Sequence, residues 1–136
     1  MTTVAWVLVA TSWAAEIRLD GAVMKTPYAV ASVAEGVTEV VVYDHEVSCG
    51  EKDGWSLVFM FDVAKSGAAG TGMAQVGSLP RILKTPVTLA RIDKRGGELT
   101  LDLHEQGVEA TGTLAVTACG PIAGKPPPPP STRLQP

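Results

Sequence analysis

Asp44, His45 and Glu46 are followed, three residues on, by Cys49. Each of these side chains can bind a transition metal, and a histidine beside carboxylates can move protons. No other stretch of the chain gathers as much potential chemistry. A zinc site, however, needs three or four ligands converging on one point. On an extended strand Asp44 and Glu46 point to one face and His45 to the other, so they do not share an ion easily. The spacing is not HExxH, because Cys stands at position 49, and the chain has no C-x-x-C. The only other histidine, His104, falls on the polar side of its own strand. The expectation is no metal centre, with Asp44, His45, Glu46 and His104 as the candidates if one exists. The plainer reading is a solvated strand end followed by half of a disulfide.

Cys49 and Cys119 are the only cysteines. An even count behind an export signal reads as one bridge. A bridge would tie the last strand to the middle of the chain and would remove Cys49 from metal binding or nucleophilic attack.

Other catalytic patterns are weak. There is no G-x-S-x-G, and two histidines leave few bases for a triad. Gly67, Gly70, Gly72 and Gly77 lie close together, but neither G-x-x-x-x-G-K-[ST] nor G-x-G-x-x-G is present; position 75 is Gln. No catalytic residue and no cofactor is expected. Arg81, Lys84, Arg91, Lys94 and Arg95 place five of the eleven basic residues within fifteen positions. They are the candidate partner-binding patch, set against the plainer reading of one solvated strand with its turns.

The elements that would position these residues are short and turn-punctuated. Glu16 to Asp20 alternates polar and apolar. Tyr28 to Ala34, Val37 to Tyr43 and Trp55 to Asp62 are apolar or β-branched runs. Pro86 to Ile92 leads to a turn over Lys94 to Gly97. Glu98 to His104 alternates most cleanly, with Leu99, Leu101 and Leu103 on one side. Glu105-Gln106-Gly107 then turns into Val108 to Cys119. Lys65 to Gly77 is small and glycine-rich, and reads as a long loop or a weak edge strand. Seven or eight short strands at roughly ten-residue spacing predict an all-β fold, an antiparallel β-sandwich. A small, calycin-like β-barrel is the alternative.

Residues 1–14 read as a signal peptide: Val4 to Ala15 is uncharged and mostly apolar, too short to cross a bilayer, and Ser12 and Ala14 suit a cleavage site. No Lys or Arg precedes Arg18, so the basic start of a signal is missing, and a first strand is the competing reading. Residues 15–122 form the β-domain. Residues 123–136 form a proline-rich tail, disordered or extended, because Pro126 to Pro130 cannot join a sheet.

A net charge of −3 gives no reason to expect nucleic acid. Few aromatics argue against a sugar-binding cleft. In general style the layout is similar to many small, exported bacterial β-domains, though no motif carries residues over. The expected role is a non-enzymatic binding, adhesion or assembly module in the cell envelope or outside the cell. Its partner would be a protein or envelope component, and the mature chain would have no transmembrane segment. One alternative is a small-ligand carrier with a barrel cavity. The other is a metal-dependent enzyme using His45, Glu46 and His104.

Overall fold

The computed structural model describes residues 15–51, 53–62, 65–77 and 79–119. The expected signal peptide, residues 120–122 of the expected β-domain, and the proline-rich tail over residues 123–136 lie outside the described residues. The elements are nine strands: β1 (Glu16–Leu19), β2 (Ala22–Val23), β3 (Tyr28–Ala34), β4 (Val37–Tyr43), β5 (Trp55–Phe61), β6 (Ala68–Val76), β7 (Leu79–Asp93), β8 (Gly96–Glu105) and β9 (Val108–Ala118).

Of the two all-β architectures the sequence allows, the protein adopts the barrel. Strands β3 to β9 pair in sequence order, and the ring closes where β3 meets β9. That closing pair is parallel and short: Ala29 with Val116, Val30 with Thr117, Ala31 with Ala118. The Cys119 amide extends it by donating to the Ala31 carbonyl at 2.7 Å. β9 can close the ring because it is long. One edge carries β8 along nearly its whole length; the other carries β1 near its start and β3 near its end. A sandwich would have left two open edges that this arrangement pairs.

Turn chemistry fixes the hairpins. Asp20-Gly21, Glu35-Gly36 and Gln106-Gly107 are two-residue turns with positive φ at both positions. That is the mirror-image turn whose twist matches paired strands. The turn between β7 and β8 is Lys94-Arg95, so Gly96 and Gly97 belong to β8 rather than to the turn the sequence suggested.

The glycine-rich segment is neither a loop nor an edge. β6 is an interior strand between β5 and β7. A Cβ on Gly72 would sit 1.7 Å from the Val58 carbonyl oxygen, and one on Gly70 would sit 2.2 Å from that of Met60. Glycine therefore marks close backbone approach here, a signal that composition alone assigns to flexibility.

The barrel interior is filled. Phe59, Phe61, Leu57, Leu89, Leu99, Leu101 and Leu103 are among its largest fully buried side chains and belong to one apolar cluster. Strand β7 begins earlier than expected, at Leu79, and its pairing with β6 slips between Gly70 and Gly72. The Lys84 and Thr85 amides in that slip donate to the Glu105 carboxylate at 3.0 and 2.8 Å. No helix among the described residues is long and apolar enough to cross a membrane.

Candidate functional site

A barrel with a packed interior ordinarily turns polar side chains outward. β8 and β9 follow that rule: Thr100, Asp102, His104, Glu109 and Thr111 are exposed. Strands β3 to β7 also turn Thr71, Gln75 and Thr88 outward, but one row across them departs from the rule. Val30 pairs with Val41, Val41 with Val58, Val58 with Met73, and Met73 with Ile82. The result is an unbroken apolar row across five strands, roughly 19 Å long at the usual strand spacing. Met60 and Ile82 stand 46% and 61% exposed.

Two adjoining cavities lie over this row. The first, of about 540 Å³, is lined by Val30, Val41, Tyr43, Val47 and both cysteines. The second, of about 340 Å³, is lined by Val41, Tyr43, Trp55, Val58, Met60 and Met73. Glu39 and Glu51 border both. Together they form one groove with an apolar floor and two carboxylates at its side.

A bulge and a bridge build the groove. Leu57, Phe59 and Phe61 point inward, so a regular strand would bury Trp55 with them. Between Val42 and Tyr43 the pairing slips: Val42 faces Leu57, but Tyr43 faces Trp55. The extra residue, Ser56, turns Trp55 out of the core, as bulges do. The Cys49–Cys119 disulfide is formed, with the two Cα atoms 5.7 Å apart. It ties the segment after β4 to the end of β9 and so spans β3, which lies between those strands. The buried Tyr43 hydroxyl donates to the Glu51 carbonyl at 2.7 Å and holds the same segment down. Burial pushes the Tyr43 phenol above its ordinary range, and the charges of Glu51, Glu39 and Asp53 push it further.

The metal candidates sit elsewhere and apart. β4 ends at Tyr43, so Asp44, His45 and Glu46 lie beyond the strand. His45 Nδ1 is 2.6 Å from its neighbour's carboxylate, Asp44 Oδ1, and its ring meets Tyr43 edge-on at 6.0 Å. His104 lies on β8, with β9 and β3 between it and β4 around the ring. Its Nδ1 stands 2.6 Å from a Glu109 carboxylate oxygen and its Nε2 2.9 Å from one of Asp102, and when protonated the ring donates to both. Those bonds, Glu109 first, raise its pKa above the ordinary histidine value. Among the described residues, no three His, Cys, Asp or Glu side chains are placed to hold one metal ion.

The basic residues are spread along β7 and its turn. Arg81 donates to both oxygens of Asp20, at 2.7 and 2.9 Å, and to the Gln106 carbonyl at 2.8 Å. This clip pins the β1–β2 turn to the barrel and lowers the Asp20 pKa, chiefly through the hydrogen bond. Lys84 is exposed in the β7 slip. Arg91 lies ten residues beyond Arg81, roughly 30 Å along a strand, and approaches Asp93 at 3.4 Å. Lys94 and Arg95 occupy the turn, where the Arg95 amide donates to Asp93. Arg81 is thus a structural clip, well separated from the Arg91, Lys94 and Arg95 end.

Sequence reading missed the groove. Its one local signal was the surplus of apolar residues at both parities in Val37 to Tyr43 and Trp55 to Phe61. Comparison of this chain with protein-family models, with curated proteins and with solved structures finds no match.

Proposed function

We propose that this protein is a non-enzymatic binding module that works outside the cytoplasm and holds an extended polypeptide in the groove over β3 to β6. The observation that carries this reading is the outward apolar row, Val30, Val41, Val58, Met73 and Ile82. Val30 and Val58 are nearly covered, Val41 and Met73 are half-buried, and Ile82 and the neighbouring Met60 are exposed; apolar side chains left facing outward in this way mark an interaction site. The groove is open and elongated, as suits an extended chain rather than a compact ligand. The disulfide favours an oxidising compartment, in keeping with export.

The other two readings find less support. A carrier would need its cavity inside the barrel, where Phe59, Phe61 and the leucines are packed. An enzyme using His45, Glu46 and His104 would need them together, and each histidine has its own carboxylate instead.

A peptide-display library panned against the oxidised protein tests the proposal. Enriched peptides should be extended and apolar or proline-rich, and Met73→Lys should abolish their binding while leaving the fold intact by circular dichroism. Enrichment of nothing, or peptides indifferent to Met73→Lys, would sink it.

A further inference from the structure

The chain itself carries a segment suited to this groove. Cys119 is both the last described residue and part of the groove wall. The chain therefore leaves the barrel at the groove. Seven residues later comes Pro126, the first of five prolines. We infer that Pro126 to Pro130 dock intramolecularly on the groove, over Trp55, Met60 and Met73, as a built-in ligand that an external partner must displace. The inference rests on the binding role proposed above.

The reach is sufficient. At most about 3.5 Å per residue, Pro126 can lie roughly 24 Å from Cys119. From β3 to β6 is three strand spacings, about 14 Å. Five prolines in polyproline II span about 15 Å, comparable to the groove.

The chemistry fits too. Proline lacks an amide hydrogen and cannot extend a sheet, so a proline run is recognised through its ring faces on aromatic and apolar side chains. Trp55, turned outward by the bulge and half-buried, supplies the aromatic face. Tyr43, almost wholly buried, is the floor beneath. Charge agrees: residues 120–136 carry Lys125 and Arg133 and no Asp or Glu. A proline run docked on the groove would carry Lys125, which directly precedes it in sequence, toward Glu39 and Glu51. Docking does not demand strong intrinsic affinity. A short tether gives an effective concentration of about 1 mM, so a dissociation constant near 0.1 mM keeps the tail docked in about nine molecules of ten.

The test is fluorine NMR on the full oxidised chain with 5-fluorotryptophan, the Trp55 signal being assigned with Trp55→Phe. It is compared with a chain lacking residues 123–136, and with a full-length chain whose Pro126 to Pro130 are replaced by Gly and Ser. The second variant keeps length and charge if the first folds poorly. In both, the Trp55 signal should move. Adding the synthetic peptide GKPPPPPSTRLQP to the truncated chain should return it to the full-length position, with weaker binding at high salt. Coincident signals in all three chains would overturn the inference. A signal that depends on protein concentration would also overturn it, since a second copy's tail would then be the occupant. If library peptides move the signal but the tail does not, the groove reading stands and this inference fails. If neither moves it, both fail.

Discussion

Tyr43 and Trp55 face each other across β4 and β5, directly beyond the slip that separates Val42 and Leu57 from them. This one irregularity decides which side of the barrel wall the indole occupies. The same tyrosine holds one side of the groove through its bond to the Glu51 carbonyl. The groove thus depends on one bulge, one phenol and one disulfide.

Removing the hydroxyl should loosen that side. Tyr43→Phe keeps the ring and deletes the hydrogen bond, at a cost of about 1 kcal/mol. Amides of residues 47–51 should exchange faster, while those of β8 and β9 should not. An unchanged exchange rate at 47–51 would show that the disulfide alone holds the segment.

The disulfide should matter to the whole barrel, because it spans the seam that closes it. Only three residue pairs join β3 to β9. In the chain-entropy model a bridge over 70 residues contributes about 4 kcal/mol. Cys49→Ala/Cys119→Ala should lower the urea midpoint accordingly and expose the β3 amides first. A loss under about 1 kcal/mol would mean the seam is held mainly by packing.

Gly72→Ala should be far worse than its size suggests. The added carbon would collide with the Val58 backbone, so β5 and β6 must part. Failure to fold, or a loss of several kcal/mol, is expected. Gly36→Ala meets no atom within 4 Å but must adopt φ +82°, and should cost only about 1 kcal/mol. Similar losses at the two positions would argue against close packing of β6 on β5.

Local signals made the local features legible. Leu99, Leu101 and Leu103 announced β8, and Gln106-Gly107 announced its hairpin. Cys49 and Cys119 announced their bridge. The barrel was not legible over the sandwich, because closure rests on a parallel contact between residues almost ninety positions apart, Ala29 and Val116. Trp55 could not be placed, since strand periodicity assigns it to the core and only a register slip against β4 moves it out. β6 was hidden because glycine means freedom in a turn but proximity in a sheet, and sequence does not say which.

Thr38 offers a test of the opposite sign. It is fully buried on β4, and its hydroxyl has no hydrogen-bond partner among the described residues. A buried unpaired polar group costs about 1–3 kcal/mol. Thr38→Val keeps the shape and removes the hydroxyl, and should raise the urea midpoint by about 1 kcal/mol. A loss on substitution would mean that the hydroxyl is satisfied after all.

Acid and base should act on this barrel through two different groups. His104 has its pKa raised by Glu109 and Asp102. Its contribution is complete below the unfolded histidine value, near 6.5, and is lost as pH rises through the raised folded value. Glu105 has its pKa lowered, first by the Lys84 amide and then by Thr85. Its contribution is complete above the unfolded glutamate value, near 4.5, and is lost as pH falls through the lowered folded value. Together they favour the window between about pH 4.5 and 6.5. Both groups lie at the surface, so the effect is shallow. An NMR titration of His104 reads the first half directly. Its midpoint should lie above 6.5 and fall back in Glu109→Gln. Urea midpoints against pH read the second: Glu105→Gln should flatten the acid side and leave the alkaline side alone. A His104 midpoint at or below 6.5 would show that the two carboxylates do not clasp the ring in solution.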